Sequence, residues 1–357
     1  MSFSSILIAG GAGFVGSQLA CRLKQAGARR EIIALDNLKR RGSELALRRL
    51  RAAGVQFLHA DVRCTDDLHD LPDFDLLVDC AAEPSVAAGQ RLPAKVIDVN
   101  FIGTLNCLEA ARRRSAAFLL LSTSRVYPIQ ALNSLPYRET DARFEWTAAT
   151  EELPGFSAAG IGEEFSLTGA RSIYGTSKLA AEMLVQEYVY NYGMQALINR
   201  CGVLAGPWQM GKTDQGFIVH WVASHYFGKP LQYRGYNGSG KQVRDVLHVA
   251  DLVELVEKQF AASNAWDGRV YNVSGGNACS ISLLELTRMC QSITGRRVDV
   301  SGVAEETSAD VRIFIGDSRK AREDFLWRPA RTPAETISDI CQWIEAHHEE
   351  LRPILGA

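Results

Sequence analysis

Tyr174 and Lys178 stand four residues apart in Tyr174-Gly-Thr-Ser-Lys178. On a helix this spacing puts both side chains on one face. A phenol with a pKa near ~10 is a poor base at neutral pH. An adjacent ammonium favours the phenolate and brings the group closer to working range. Such a pair can move a proton on and off a substrate hydroxyl, and the lysine can also hold a ribose. A cluster of hydroxyls, Ser122-Thr123-Ser124, follows the apolar run Ala117–Leu121. A hydroxyl at the end of a buried strand can hydrogen-bond the substrate oxygen and position it for that transfer. Taken alone, each signal has a plainer reading: a chance spacing, and a polar turn after a strand.

A third group gives them weight. Gly10-Gly11-Ala12-Gly13-Phe14-Val15-Gly16 contains G-x-x-G-x-x-G between an apolar strand and an amphipathic helix. Glycines there let the backbone turn tightly and approach a pyrophosphate seated on the helix N-terminus. Asp36 ends the next apolar run, where a carboxylate accepts from an adenosine ribose and repels a 2′-phosphate. That favours NAD as cofactor. Lys39-Arg40-Arg41 follows, either a solvated helix start or a basic patch able to accept NADP. Asp61 is placed to contact adenine or to cap a helix.

These groups need a frame that carries them to one edge. Ser5–Ala9, Glu31–Leu35, Val55–Leu58, Leu76–Cys80 and Ala117–Leu121 read as strands buried on both faces. Helical patterns at Phe14–Ala26, Glu44–Ala53 and Ala94–Arg113 lie between them. Alternating strands and helices predict an α/β doubly wound parallel sheet of Rossmann type, with ligands at the strand C-termini. Residues 129–171 lack clear periodicity and read as a long ordered insertion. A helix at Tyr174–Tyr192 and a strand at Ala196–Arg200 follow. Thereafter segments shorten into a smaller C-terminal substrate-binding lobe. The division expected is 1–205 plus about 243–275 for the dinucleotide domain, and about 206–242 plus 276–357 for the lobe. Thr332-Pro333-Ala334-Glu335 opens a late helix with a capping box.

The 357 residues carry a net charge of −2, which gives no polycationic bias towards nucleic acid or membrane. No apolar run is long enough to cross a bilayer. Eight cysteines without a C-x-x-C pair argue against a disulfide framework or zinc site, no metal is expected, and a reducing cytoplasm follows.

The glycine turn, Thr123, Tyr174 and Lys178, in this order, resemble the extended short-chain dehydrogenase/reductase family. Val243-Arg-Asp-Val-Leu-His248-Val-Ala-Asp251 is similar to a signature of its members that act on nucleotide sugars. The resemblance implies Tyr174 as base, Thr123 as its hydroxyl partner and Lys178 as the cation on the nicotinamide ribose. It implies cofactor contacts from Gly10, Gly13, Phe14, Val15, Gly16, Asp36, Asn37, Asp61, Val62, Ala81, Ala82, Asn100 and Arg200, with NAD held tightly. Asn100 resembles the family's structural asparagine. Asp79 stands where many relatives have His and is given no role. Arg244 and Arg312 are implied as ligands of the substrate diphosphate, which a guanidinium fork suits. Their other reading is ion pairing, with Asp245 and Asp310.

The resemblance also limits the reaction. Dehydratases of this kind place Asp and Glu where Ser124 and Arg125 stand, and neither residue replaces a titratable carboxyl pair. Epimerisation of a nucleotide-diphosphate sugar through a transient keto-sugar is therefore expected. Tyr174 comes 51 positions after Thr123, a long gap for a 4-epimerase. With segments 206–216, 240–248 and 282–286, this resembles the branch inverting C2 of CDP-linked dideoxyhexoses. Ser124, Arg125 and Gln209 are expected at the sugar. The alternatives are a UDP-hexose or UDP-uronate 4-epimerase, a non-catalytic NAD-binding sensor, and a net NADPH oxidoreductase. The helices Ala94–Arg113 and Tyr174–Tyr192 resemble a dimer bundle, so a homodimer or homotetramer is expected.

Overall fold

The computed structural model describes residues 3–27, 29–147, 153–305 and 307–356. Seven strands form the main sheet: Ser5–Ala9 (β1), Glu31–Asp36 (β2), Gln56–His59 (β3), Leu76–Asp79 (β4), Ala117–Thr123 (β5), Ala196–Cys201 (β6) and Asp267–Val273 (β7). Their order is β7-β6-β5-β4-β1-β2-β3, and every pairing is parallel. This is a doubly wound Rossmann-type sheet. The order reverses between β1 and β4, opening a crevice outside their carboxyl ends. All of β4 and β5 is buried, as continuous apolar runs require. Leu19, Leu23, Leu252 and Val256 pack on one face, and Leu108, Ala111, Ala181 and Val185 on the other.

The first helix spans Phe14–Ala26, as its pattern predicts. The helical stretch expected over Ala94–Arg113 starts at Pro93 and contains a wider π turn at Asp98–Ile102. That turn carries Asn100, whose side chain is fully buried. Asn100 Oδ1 accepts from the Glu83 backbone N–H at 2.7 Å, and its Nδ2 donates to Ser177 Oγ at 3.1 Å. One amide thus ties the loop after β4 to the middle of the Tyr174-x-x-x-Lys178 segment.

After β5 the insertion folds as a short helix, Ile129–Asn133, and two small hairpins, Tyr137–Glu139 with Phe144–Trp146 and Phe156–Ser157 with Gly160–Ile161. In the second lobe, Val243–His248 pairs with Val203–Ala205, Ser280–Ser282 and Ile313–Phe314. Only later, at β7, does the chain rejoin the main sheet. The Phe217–Phe227, Leu283–Thr294 and Pro333–Ala346 helices cover the lobe's own core. The capping box at Thr332 and Glu335 forms in both directions. All eight cysteines are free. Among the described residues no helix is long and apolar enough to cross a membrane.

The Ile173–Tyr192 helix begins at Ser172, whose hydroxyl accepts from the Gly175 N–H at 3.1 Å. Gly175 is required: a Cβ there would meet the Arg125 carbonyl oxygen at 2.1 Å. Further along, Glu182 is buried against β6, where its carboxylate takes Arg200 Nη2 at 2.7 Å and Nε at 3.0 Å. Ser122 Oγ donates to the same carboxylate, and Arg200 Nη1 donates to the Tyr127 hydroxyl at 3.2 Å. Arg200, expected at the cofactor, is thus committed to fastening this helix to the sheet. Its guanidinium neutralises a carboxylate that burial would otherwise penalise. Breaking the pair with Glu182→Gln leaves an uncompensated buried guanidinium and is expected to cost about 3–5 kcal/mol of stability. Urea unfolding of the variant against the parent chain measures this.

Candidate functional site

A cleft of about 340 Å³ lies over the carboxyl ends of β1, β4, β5 and β6. Of the expected residues it brings together Gly10, Gly13, Phe14, Val15, Gly16, Ala82, Thr123, Ser124, Arg125, Tyr174, Gln209 and Arg244. Its floor is the glycine turn. Gly10 has φ +71°, and a Cβ at Gly16 would stand 2.2 Å from the Gly10 carbonyl oxygen. Only bare backbone fits, which leaves the start of the Phe14–Ala26 helix open to an anion. Asp36 braces the turn by accepting from the Ala12 N–H at 3.1 Å and the Leu38 N–H at 2.8 Å. The Gly13 N–H also bonds this carboxyl, which leaves one acceptor position for a further donor. Burial pushes the Asp36 carboxyl above its ordinary value, against these backbone bonds.

Ala81 packs against Gly10, and its N–H is held by Asp79 Oδ1 at 3.0 Å. Asp79 Oδ2 takes the Thr104 hydroxyl at 2.6 Å, so this carboxylate is bound up in the loop after β4. Val62 is buried below the Gly103 turn. Asn37 donates to Asp61 Oδ2 at 3.0 Å, and Arg63 forks onto both Asp61 oxygens at 2.9 and 2.7 Å. Arg63 holds the Asp61 carboxyl well below the usual range. Arg40 lines the cleft beside Gly13 and Phe14 and donates to the Met210 carbonyl at 2.8 Å. It is therefore no part of a solvated helix start.

At the other side of the cleft, Tyr174 and Thr123 line the same space. Burial pushes the phenol above its ordinary value, while the Thr123 hydroxyl and the Arg125 charge pull it down. Thr123 Oγ1 also accepts from the Arg125 N–H at 3.2 Å. One turn along the helix, Lys178 is buried and its Nζ has no hydrogen-bond partner among the described residues. Its charge opposes the burial that raises the thiols of Cys80, Cys107 and Cys201. An ammonium kept out of water with no acceptor is costly. It fits a ligand that supplies hydroxyls, as a ribose does, and the glycine turn on the cleft floor fits a pyrophosphate.

The arginines divide. Arg125 and Arg244 reach the cleft, and among the described residues neither forms an ion pair. Arg125 Nη1 donates to the Ala309 carbonyl at 3.1 Å, and Arg244 Nη1 to the Val243 carbonyl at 2.7 Å. Arg312, expected at the diphosphate, does not line the cleft. Its guanidinium lies 4.0 Å from the Tyr137 ring centre and also faces Phe144 and Tyr236. Its Nη1 donates to the Asn133 carbonyl at 2.9 Å. Cation–π attraction and this bond make it a fastener of the insertion. Gln209, which lines the cleft, donates Nε2 to the Leu204 carbonyl at 3.0 Å and leaves Oε1 unpartnered.

Several lining residues carried no sequence signal. Cys80 and Cys201 follow or end apolar strands and read as core. Pro84, Val86, Leu132, Val311 and Phe314 come from three separate segments. Asp214 also lines the cleft, where its carboxylate takes the Ser85 hydroxyl.

The NAD dependent epimerase/dehydratase family matches residues 6–274. A CDP-paratose 2-epimerase of Salmonella typhi is 28% identical over 350 residues, covering 95% of this chain and 98% of that one. Among solved structures, a UDP-glucose 4-epimerase of Thermotoga maritima with UDP-glucose has a TM-score of 0.78 at 23% identity, covering 96% of this chain and 99% of that one. A UDP-glucuronic acid 4-epimerase of Bacillus cereus, in complex with UDP-glucuronic acid and NAD, has a TM-score of 0.76 at 21% identity, with the same coverage. With its glycine turn, paired Tyr174 and Thr123, and a match over most of its length, the chain belongs to the NAD dependent epimerase/dehydratase family.

Proposed function

We propose that the protein is an NAD-dependent epimerase of a nucleotide-activated sugar, acting at C2 of a CDP-linked deoxyhexose. The observation that carries the reaction type is Tyr174 and Thr123 lining one cleft with the glycine turn. As its phenolate, Tyr174 takes the proton of the sugar hydroxyl, and Thr123 hydrogen-bonds the same oxygen and holds it in line. NAD, when held on the glycine turn, would supply the hydride acceptor and donor at the carbon that bears this oxygen. Lys178 gives its free ammonium to the cofactor's ribose, and Asp36 accepts from the adenosine ribose. Tyr174 then restores the proton to the oxygen. Inversion requires that the keto-sugar present its other face, so the pocket must leave the ring room to turn while the nucleotide stays held.

Elimination is disfavoured by composition. Ser124 and Arg125 flank the site, and Asp214 is the only carboxylate lining the cleft among the described residues. The CDP-sugar and C2 assignments rest on the Salmonella typhi relative and on the long insertion. A UDP-sugar 4-epimerase is the second reading, favoured by the structural likenesses. We also propose a homodimer, in the cytoplasm, built on the helices over 93–113 and 173–192. Leu92, Ile97, Ile173 and Met183 stay exposed there, although large apolar side chains are more often covered.

Tyr174→Phe is expected to lower kcat on a CDP-linked dideoxyhexose by about 10²–10⁴-fold. The variant should still release NAD on denaturation, read by mass spectrometry. Full activity in that variant contradicts the assignment of the base. Light scattering is expected to give the mass of at least two chains, and a monomer mass overturns the dimer.

A further inference from the structure

Residues 206–216 connect Val203–Ala205 to the Phe217–Phe227 helix. Early in this segment the anchors lie on the β1–β2 side of the crevice. Gln18, from the first helix, donates Nε2 to the Pro207 carbonyl at 2.9 Å, and Arg40, from the loop after β2, donates to the Met210 carbonyl at 2.8 Å. Late in it the anchor lies on the β4 side, where Ser85, from the loop after β4, donates to the Asp214 carboxylate. The glycine turn lies between these anchors, and Gln209, Asp214, Gln215 and Gly216 line the cleft together with Gly10 and Gly13. We propose that residues 206–216 are a strap across the dinucleotide groove, closed by the Ser85–Asp214 bond, which keeps NAD in place while sugars exchange. The proposal rests on NAD as occupant of the cleft and is independent of which sugar is turned over.

Three features support the strap. First, its leading half is rigid. Trp208 has φ +72°, a conformation that a bulky residue keeps only where its surroundings fix it. Here Trp343 and His347 lie at ring-centre distances of 5.8 and 4.9 Å, and the Arg49 guanidinium stands 4.6 Å from the indole centre. Arg49 in turn donates to Ser17 Oγ at 2.7 Å, on the first helix. Second, the trailing half is a tight tip between two glycines. Lys212 and Gln215 exchange backbone bonds of 2.7 and 3.2 Å. A Cβ at Gly211 would stand 2.6 Å from the Gly216 carbonyl oxygen, and Gly216 has φ +72°. Among the described residues, Asp214 to Ser85 is the one side-chain hydrogen bond from this tip to the loops of the main sheet. The tip can therefore swing on its glycines while the leading half stays fastened. Ser85 is a fixed catch, because its hydroxyl also caps the Val86–Arg91 helix, accepting from the Ala88 N–H at 2.9 Å. Third, the strap offers the cleft two acceptors. Gln209 Oε1 and Gln215 Oε1 are buried without a donor among the described residues. A bare buried carbonyl is costly until a ligand brings hydroxyl or amide donors, and NAD carries both. Cofactor lost between oxidation and reduction would strand the keto-sugar, so a catch on NAD serves an epimerase.

The test is the rate at which NAD leaves the purified holoenzyme in NAD-free buffer, read by mass spectrometry of the nucleotide that stays bound. The chains compared are the parent, Gln18→Ala, Ser85→Ala, Asp214→Ala and the Ser85→Ala/Asp214→Ala double variant. Each single variant is expected to lose NAD at least about fivefold faster than the parent. The double variant should match Asp214→Ala alone, because both changes break one bond. CDP binding by calorimetry should stay within about twofold of the parent throughout. Should Ser85→Ala unfold with its helix cap gone, Asp214→Ala, which leaves the cap intact, carries the test. Parent-like NAD loss from Asp214→Ala overturns the strap, and additive effects in the double variant assign the role of Ser85 to its helix cap and overturn the catch. Weakened CDP binding with NAD retained places the segment over the sugar nucleotide and also overturns the proposal. A parent chain that yields no NAD on denaturation contradicts the cofactor reading itself.

Discussion

Positive charge without a carboxylate partner sets the character of the cleft. Among the described residues Lys178 is fully buried with no hydrogen-bond partner at its ammonium, and Arg125 and Arg244 line the cleft without an ion pair. Elsewhere the chain pairs such groups. Arg63 forks onto Asp61 and Arg200 onto Glu182, and Arg331 pairs with Asp251. A desolvated cation lowers stability unless something compensates it. In this cleft the compensation is consistent with the ribose and phosphate oxygens of ligands, so binding gains energy that folding has forgone.

Holding such groups in place takes rigid neighbours. The Ile173–Tyr192 helix is pinned at three levels: the Ser172 cap, the Asn100–Ser177 bond and the buried Glu182–Arg200 pair. The first two flank Tyr174 and Lys178 directly. The third anchors the helix two turns further on, against the same β5 and β6 ends that supply Thr123 and Cys201. The insertion is fastened from outside by Arg312 in its aromatic cage and by Asn133, whose Oδ1 accepts from the Arg312 N–H at 2.8 Å. Its Ile129 and Leu132 line the cleft.

Much of the frame was legible in the sequence because strands buried on both faces must be apolar throughout. β1 and the first helix fall where their runs begin and end, while β3 is displaced by one residue. The π turn at Asp98–Ile102 was not legible, since one extra residue per turn leaves the helical pattern nearly unchanged. The glycine turn, Thr123 and Tyr174 meet because short motifs fix local geometry and the parallel sheet carries them to one edge. The arginines were harder. Whether a guanidinium meets a ligand, a carboxylate or a ring depends on residues far away in sequence, as Tyr137, Phe144 and Tyr236 are for Arg312. The Arg200–Glu182 pair was hidden for the same reason: Glu182 lies on another element, and no local pattern joins them.

The central claim is that a hydride leaves one sugar carbon and returns to it, with Tyr174 handling only the hydroxyl proton. Turnover of a CDP-linked dideoxyhexose in deuterium oxide, followed by proton NMR of the product, tests this most directly. The account predicts an inverted carbon that keeps its original hydrogen, with no deuterium there. Deuterium at the inverted carbon, or a product that has lost water, contradicts it.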